Sequence, residues 1–440
     1  METNETPIAT AVQSNYPVYD AEAAAELFKG RDLYIWGAGQ KGKGFRLALN
    51  RNGFTIKAFL DKSPLLKGST YQGIPILDPD TVLGNAQALQ NAFLLVASVD
   101  KKNAEIFKAC EQADLKKGAD FINIQELSPY YPTVEISGTC NLRCISCPRG
   151  NSDHPLRRGG FMRAAEYRKV AEKLVREIPF LYLVDIYIWG EPFLNPDLAA
   201  IIKINTELGI ATGISSNLNI RKNLEEVVKA APAQIRISLS GFGKDHYEQT
   251  HTGGNWDSVL SNLSLLADYV RKYETGTLVE IYYHVNKNNK AEAKKIRQLC
   301  DELGFRFHAS ISMLFHDYAM DFMDGNTLCE EAQQGKAIMT VSLEEMIETA
   351  RTQKEKPCLL KRVVPIINWD LSVLPCCNYS SNKIGDALVT KNFLETPLQE
   401  IVRQRAHNPL CIKCQGLALH RYFNPVYYSD YINTLIDQEG

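Results

Sequence analysis

Three cysteines, Cys140, Cys144 and Cys147, lie in one short stretch that follows the predicted strand 133–137. Cysteine thiolates bind zinc ions and iron–sulfur clusters. The spacing C-x3-C-x2-C allows three thiolates to curl around one face of a cluster, and it leaves one iron without a protein thiolate. A cluster with an open iron can bind another molecule there. The spacing therefore predicts a reactive iron–sulfur site, with a zinc site or reduced core thiols as the alternative.

A second group of cysteines lies near the C-terminus. Its members are Cys358, Cys376, Cys377, Cys411 and Cys414. Four thiolates are enough for one further cluster, and the interval of 18 positions after Cys358 favours Cys376 over Cys377 as a ligand. A zinc ribbon built on Cys411 and Cys414 is the alternative. Cys110, Cys300 and Cys329 stand alone in the sequence, and we expect them to be packing residues.

A glycine pattern, G-x-G-x-x-G, is formed by Gly37, Gly39 and Gly42. The elements predicted around it are a strand at 32–36, a helix at 43–51, a strand at 54–61, a strand at 93–98, a helix at 104–110 and a strand at 120–124. Glycines at such a turn let a pyrophosphate approach the helix N-terminus, and Asp61 stands where a ribose-binding carboxylate is expected. A docking domain that has kept this fold but binds nothing is the alternative, because glycines here also serve packing.

Residues 130–313 alternate between strand and helix patterns. The predicted strands are 133–137, 183–189, 210–215, 234–240, 278–285 and 305–313, and the predicted helices are 164–177, 198–208, 224–230, 258–273 and 291–303. Such alternation predicts a parallel sheet whose ligand sites lie at the carboxyl ends of the strands. Polar residues follow three of these ends: Gly190, Glu191 and Pro192, then Asn217, then Ser238 and Ser240.

The stretch CNLRCISC after a strand resembles the signature of radical S-adenosylmethionine (radical SAM) enzymes. The resemblance implies a partial (β/α)6 barrel and a [4Fe-4S] cluster on Cys140, Cys144 and Cys147. In that family the open iron binds SAM, and one electron cleaves SAM to methionine and a 5′-deoxyadenosyl radical. It also implies that the Gly190–Pro192 motif, Asn217, Ser238 and Ser240 contact SAM. The chain departs from the family at Ser146, where an aromatic residue is common, and at His251, where an arginine is common.

Two flanking segments carry further resemblances. The C-terminal cysteines resemble a SPASM or twitch extension, which implies a second, auxiliary [4Fe-4S] cluster on Cys358, Cys376, Cys411 and Cys414; Leu371 stands where that family turns on glycine. The glycine pattern resembles small Rossmann-like domains that bind nucleotide-sugars. We therefore expect an α/β protein with a Rossmann-like domain at 1–128, the partial barrel at 129–315, a connector at 316–356 and the SPASM/twitch domain at 357–440.

Composition supports a folded protein of two or three domains. The chain has 440 residues, of which 45% are hydrophobic and 23% charged, and a net charge of −2. That balance gives no electrostatic argument for nucleic acid or an anionic membrane, so we expect neither as a partner. Residues 1–17 lack a signal-peptide pattern and no run of eighteen apolar residues occurs, which predicts a cytoplasmic protein with reduced cysteines.

Three functions are compatible with these features. The first is a radical SAM oxidoreductase that oxidises a sugar, cyclitol or related small metabolite, reduced by a flavodoxin or ferredoxin as the family implies. The second is a peptide-modifying radical SAM maturase, which commonly carries a winged-helix leader-binding domain that is not legible here. The third is a non-catalytic metal-binding scaffold. In the first, His251, His284 or His316 is a candidate acceptor for the proton that an alcohol loses on oxidation.

Overall fold

The computed structural model describes residues 19–64, 66–98, 100–148, 159–358, 360, 363–385, 387–422, 428, 431, 432, 434 and 436. The polar stretch 1–17 lies outside them. The chain divides into two compact units. The first comprises Met1–Tyr131, Ala171–Val184 and Ile204–Thr212, and the second comprises Pro132–Val170, Asp185–Lys203 and Gly213–Gly440. The division into three domains and a connector expected from the sequence stays a prediction.

The first unit contains a six-stranded sheet with the order β3-β4-β2-β1-β5-β6. All of its strand pairs are parallel except β3 with β4. Apolar side chains bury the central strands on both faces, as expected for a parallel sheet covered by helices. The strands are β1 Asp32–Trp36, β2 Ile56–Leu60, β3 Thr70–Tyr71, β4 Ile74–Leu77, β5 Ala92–Val96 and β6 Phe121–Asn123. The helices are α1 Ala21–Phe28, α2 Gln40–Arg51, α3 Pro79–Leu83, α4 Ala86–Leu89 and α5 Asp100–Gln112.

Helix α2 packs closely against chain segments of the same unit. A Cβ atom on Gly44 would lie only 2.5 Å from the carbonyl oxygen of Tyr182, so glycine is needed at this contact. At the end of α2, the Arg51 guanidinium donates hydrogen bonds to four backbone carbonyl oxygens, those of Pro179, Leu181, Leu208 and Gly209. Burial lowers the pKa of Arg51 to about 10. These bonds satisfy carbonyl groups that lie outside regular ladders.

The second sheet has eight strands in the order β12-β11-β10-β9-β8-β7-β13-β14. The strands are β7 Thr133–Val134, β8 Leu183–Asp185, β9 Ala211–Ser216, β10 Gln234–Ser238, β11 Leu278–Val285, β12 Arg306–Ile311, β13 Ile366–Ile367 and β14 Val373–Leu374. The helices between β7 and β12 are α6 Ala164–Glu177, α7 Leu198–Glu207, α8 Leu224–Lys229, α9 Lys244–Thr250, α10 Trp256–Tyr273 and α11 Ala293–Leu303. The six strands from β7 to β12 lie in chain order, so successive strand–helix units stand side by side.

The C-terminal region extends this sheet at its β7 edge. Strand β13 pairs in parallel with β7, and β14 pairs with β13 in an antiparallel hairpin. Its helices are α12 His316–Met323, α13 Glu330–Ile338, α14 Leu343–Arg351, α15 Ser381–Ile384, α16 Leu398–Ala406 and α17 Pro409–Gly416. The segment expected to be a connector thus contains three helices, α12, α13 and α14.

The expectation of a mixed α/β protein with parallel sheets is confirmed. Several strands are shorter than their apolar runs, because loops continue the chain toward the site: β7 ends at Val134 and β8 at Asp185. The short strands β3 and β4 were missed, since the two-residue β3 carries no periodic signal. Among the described residues, no helix is both long and apolar enough to cross a membrane.

Gly42 provides a stability test of the glycine loop. A Cβ atom there would lie 1.8 Å from the carbonyl oxygen of Gly37, which is backbone and cannot move aside cheaply. We expect Gly42→Ala to lower the free energy of unfolding by roughly 1–3 kcal/mol or more, measured by urea denaturation.

The matched control is Gly39→Ala. A Cβ on Gly39 meets no atom within 4 Å, and this residue is the N-cap of α2. We expect a cost below about 1 kcal/mol. Equal losses in the two variants would show that the Gly37–Gly42 contact does not set the stability of this loop.

Candidate functional site

The three cysteines of the first group converge in a loop after β7. The loop is fixed by backbone hydrogen bonds from Arg143 to the Thr252 carbonyl (2.8 Å) and from Ile145 to the Thr250 carbonyl (3.3 Å). Burial raises the pKa of the Cys144 thiol, and the nearby thiols of Cys147 and Cys140 raise it further. Such mutual influence requires the three sulfur atoms to lie close to one another. A bound cation at this place would reverse the shift by stabilising the thiolates.

Glu135 was missed by sequence reasoning, although it is the residue that ties this loop to the end of β8. Its side chain is almost fully buried, and its Oε1 accepts hydrogen bonds from the backbone N–H groups of Trp189 (2.9 Å) and Gly190 (2.5 Å). A Cβ on Gly190 would lie 1.8 Å from the Ser137 carbonyl oxygen. The signal was a carboxylate within an otherwise apolar strand, because a buried charge needs partners.

Glu191 is also buried, and its carboxylate accepts hydrogen bonds from three groups. Its Oε1 accepts from the Phe193 N–H (3.1 Å) and the Ser216 hydroxyl (2.8 Å), and its Oε2 accepts from the Asn217 N–H (2.9 Å). Pro192, itself buried, begins the short turn that brings Phe193 round to this carboxylate. Burial raises the pKa of Glu191 to about 7, although these hydrogen bonds act in the opposite direction.

Asn217 links the Glu191 carboxylate to the first cysteine. Its side-chain amide donates to Asn141 Oδ1 (3.0 Å) and lies 3.8 Å from the Sγ atom of Cys140. The structure therefore places Glu191, Asn217 and Cys140 together, as expected if they serve one site. Asn141 is a further member that the sequence did not single out.

Ser240 lies at the end of the next strand, and Ser238 is the last residue of β10. The Ser240 hydroxyl is 3.2 Å from His284 Nδ1, and its carbonyl oxygen accepts a hydrogen bond from the Thr250 hydroxyl. Ser240 thereby contacts the helix end that also holds the cysteine loop.

The three candidate histidines are all weak bases in this structure. Burial lowers the pKa of His251 to about 4, that of His284 to about 3 and that of His316 to about 4. His251 stacks on the ring of Tyr247, and His316 Nε2 lies 2.9 Å from the Leu419 carbonyl. The proton-accepting role of these residues stays a hypothesis.

The second group of cysteines also converges. Burial raises the pKa of Cys411 to about 11, and the neighbouring thiols of Cys376 and Cys358 add to this rise. Burial also raises the pKa of Cys414, and the thiols of Cys376, Cys358 and Cys411 raise it further. The structure thus brings Cys358, Cys376, Cys411 and Cys414 into one neighbourhood.

Cys377 lies beside Cys376, whereas the thiols that raise the pKa values of Cys411 and Cys414 include those of Cys358 and Cys376. The thiol of Cys377 donates a hydrogen bond that lowers the pKa of Cys376 to about 7. It also lies close enough to Tyr187 to raise the pKa of that phenol, which burial already raises. This geometry favours Cys376 as the member of the four-cysteine set.

Trp369, in the turn between β13 and β14, packs on the glycines next to the first cysteine loop. A Cβ on Gly138 would lie 2.3 Å from the indole Nε1, and one on Gly160 would lie 2.5 Å from the indole Cζ3. Trp369 was not identified from the sequence.

Within the described part of the chain, no three His, Cys, Asp or Glu side chains meet closely enough to hold a single metal ion. Cysteines that bind different irons of one cluster need not meet at one point.

The predicted nucleotide loop has the expected strand–turn–helix form. However, Asp61 Oδ2 accepts the Ala38 N–H (2.8 Å) and its Oδ1 accepts the Ser63 N–H (2.9 Å). The Asp61 carboxylate therefore holds the loop of Gly37 and Gly39 in place. Its role toward a ribose stays a prediction.

Residues 134–300 match the family model of the Radical SAM superfamily. The matched segment covers less than half of the chain. This match spans β7 to α11, and so it includes the cysteine loop, Glu191 and Asn217.

Two curated proteins of Methanocaldococcus jannaschii resemble parts of the chain. One is an S-adenosyl-L-methionine-dependent tRNA 4-demethylwyosine synthase, 32% identical over 116 residues, which are 26% of this chain and 36% of that protein. The other is an uncharacterized protein, 23% identical over 195 residues, 42% of this chain and 60% of that protein. The chain thus spans between about a third and three fifths of these relatives.

Solved structures similar to the chain include radical SAM proteins. Streptococcus suis SuiB bound to S-adenosylmethionine has 15% sequence identity and a TM-score of 0.44, covering 69% of this chain and 72% of that one. The protein anSMEcpe with bound AdoMet has 15% identity and a TM-score of 0.44, covering 71% and 96%.

The raised pKa of Glu191 predicts a pH dependence of stability. Because the pKa rises from 4.5 in the unfolded chain to about 7 in the folded protein, the folded state binds this proton more tightly. The contribution of Glu191 to the free energy of unfolding is therefore fully present below about pH 4.5. It is lost as the pH rises through about 7, and the total loss is about 3 kcal/mol. In Glu191→Gln we expect this pH-dependent loss to be absent, measured by urea unfolding of metal-free protein from pH 4.5 to 8.

Glu248→Gln is the control. Glu248 also accepts a backbone N–H, that of Trp256, but its side chain is only partly buried. Its pH profile should parallel that of the wild type. If the stability of Glu191→Gln depended on pH in the same way as that of the wild type, Glu191 would not be the source of the pH dependence.

Proposed function

We propose that the protein is a radical SAM enzyme that removes a hydrogen atom from a small metabolite, a sugar, cyclitol or related compound, and oxidises it. The observation that carries this proposal is the convergence of Cys140, Cys144 and Cys147 beside the Glu191–Asn217 network, within residues that match the family. When bound there, a [4Fe-4S] cluster with an open iron supplies the electron that cleaves SAM to methionine and a 5′-deoxyadenosyl radical.

The residues around this loop fit such a group. The short distance between Gly190 and the Ser137 carbonyl leaves no room for a side chain, so the backbone itself forms the wall of the site. Glu191 holds the backbone of residues 193 and 217 through its three hydrogen bonds and acts as a positioning residue. Gly190, Pro192, Asn217, Ser238 and Ser240 are then the groups that bind SAM beside the cluster.

The four converging C-terminal cysteines support an auxiliary cluster held by Cys358, Cys376, Cys411 and Cys414. Oxidation of an alcohol to a ketone removes one hydrogen atom, one proton and one further electron. An auxiliary [4Fe-4S] cluster supplies an acceptor for that last electron. An external flavodoxin or ferredoxin is the proposed source of the electron for SAM cleavage.

The N-terminal unit supports two roles. Its glycine loop suits the phosphate groups of a nucleotide-sugar. The engagement of Asp61 with backbone N–H groups, and the carbonyl contacts of Arg51, suit a docking role. The two roles are separated by measuring the melting temperature of the wild type and of Gly39→Val with and without nucleotide-sugars. If the loop binds a nucleotide-sugar, the ligand should raise the melting temperature of the wild type, because a ligand stabilises the state that it binds. A docking role predicts no such rise.

The decisive experiment is anaerobic reconstitution with iron and sulfide, iron counting, and incubation with dithionite and SAM. We expect about eight irons per chain, four for each cluster, and formation of 5′-deoxyadenosine. Zinc in place of iron with SAM untouched would overturn the enzymatic proposal. About four irons with 5′-deoxyadenosine would remove the auxiliary cluster and the oxidation argument.

A substrate screen then follows with sugars, cyclitols and nucleotide-sugars. Bulk tRNA belongs in this screen, because one curated relative is a tRNA-modifying synthase. Turnover of tRNA or of a peptide, with none of the small metabolites, would replace the proposed substrate class.

Cys376 and Cys377 provide a matched pair of variants. We expect Cys376→Ser to lose about four irons per chain, whereas Cys377→Ser keeps about eight, because only Cys376 lies among the other three thiols. Iron analysis and electron paramagnetic resonance of the reduced proteins check this. The opposite pattern would assign the ligand to Cys377.

A further inference from the structure

The second sheet has one face that is polar, and the proposed SAM ligand Ser238 accounts for only a small part of it. Side chains alternate between the two faces of a strand. In β11 the burial alternates accordingly: Val279, Ile281 and Tyr283 are buried, while Glu280, Tyr282 and His284 are only partly buried. In β10 the partly buried positions are Gln234, Arg236 and Ser238. We call the face that carries these partly buried residues the Arg236 face.

Arg236 is held flat at the middle of this face. Its guanidinium carbon lies 4.5 Å from the ring centroid of Tyr282 and 5.3 Å from that of Tyr187. Its Nε donates to the Ser215 hydroxyl at 3.2 Å. Two aromatic contacts and one hydrogen bond fix the plane of the fork, as cation–π stacking does for arginine in binding sites.

The terminal nitrogens of this guanidinium keep their hydrogen-bonding capacity. Among the described residues, the Nε bond to Ser215 is the one hydrogen bond of the Arg236 side chain, and it forms no ion pair. The terminal nitrogens are not sealed from solvent either. A planar fork with free N–H donors matches the oxygens of a carboxylate or phosphate group.

The other charged groups of the face do not occupy this fork. Asp185 and Glu280 lie near enough to raise the pKa of Arg236, against the lowering effect of burial, yet Glu280 instead accepts a hydrogen bond from Gln234 at 3.1 Å. Asp185 is hydrogen-bonded with Tyr187. Among the described residues neither carboxylate forms an ion pair with Arg236, so the terminal nitrogens of the guanidinium stay open.

Polar and aromatic groups continue from Arg236 toward the cysteine end of the sheet. The rings of Tyr282 and His308 stack with centroids 4.4 Å apart, and His284 Nδ1 lies 3.2 Å from the Ser240 hydroxyl. Burial lowers the pKa of both histidines. Arg236 is thus a cation at the middle of a face that also carries the carboxylates of Asp185 and Glu280, the hydroxyl groups of serine and tyrosine, and imidazole groups.

We propose that Arg236 is a specificity-determining residue that binds a carboxylate or phosphate group of the substrate. The inference rests on the proposed function, because it assigns the Arg236 face to the substrate of that enzyme. The hydroxyl groups of Ser215, Tyr187 and Tyr282, which lie around Arg236, suit the hydroxyl groups of a sugar or cyclitol.

The test uses the full chain and two simple anions, inorganic phosphate and acetate, titrated by isothermal calorimetry. We expect saturable binding of at least one of them to the wild type. We expect Arg236→Gln to weaken it roughly tenfold or more, because a charge-assisted fork is lost. Arg236→Lys keeps the charge but not the fork, so it should retain weakened binding. Binding of phosphate alone indicates a phosphorylated substrate, and binding of acetate alone indicates a carboxylate.

The control is Arg297→Gln, since Arg297 of α11 also stacks on an aromatic ring, that of Phe307 at 5.3 Å, but is no part of the Arg236 face. Its anion binding should equal that of the wild type. No saturable binding to the wild type, or unchanged binding in both Arg236 variants, would overturn the inference. Arg236-dependent binding in a preparation that forms no 5′-deoxyadenosine would refute the proposed function alone.

Discussion

Two buried carboxylates, Glu135 and Glu191, hold together the loops at the ends of neighbouring strands. Burying a charge is costly unless hydrogen bonds compensate it. Here the compensation comes chiefly from backbone N–H groups of residues 189, 190, 193 and 217. The same bonds therefore satisfy the carboxylates and fix loops that lie beyond regular secondary structure. The cysteine loop, the glycine at position 190 and Asn217 take their places from this arrangement.

The two cysteine groups are linked through one strand. The loop that contains Cys140 follows β7, and β7 pairs with β13. The hairpin partner of β13 is β14, and the chain leads from β14 directly to Cys376. Trp369, at the turn of that hairpin, packs against Gly138 and Gly160 beside the first cysteine loop. Because the two segments are joined by backbone pairing and close packing, a displacement of one should also move the other. This arrangement gives a structural reason for two cysteine sets in one protein.

The polar face around Arg236 shows how a parallel sheet can serve a ligand. Strands buried on both faces normally read as continuous apolar runs. β10 and β11 instead alternate, with apolar residues on one face and charged, hydroxyl and imidazole groups on the other. Such polar groups are costly within a sheet unless they are paired or bind something. The stacking of Arg236 on Tyr282 and Tyr187 is a preorganised arrangement of the kind that lowers the entropic cost of binding.

The sequence alone determined the mixed α/β class, the alternation of strands and helices from β7 to β12, and the cysteine loop. Apolar periodicity and a fixed ligand spacing are local properties, and they persist whatever surrounds them. The tertiary structure decided which long-range partners meet. Glu135 reaches Gly190 across 55 positions. Arg236 meets Tyr282 of β11 and Tyr187, which follows β8. These pairings depend on strand order and register, which no local pattern encodes.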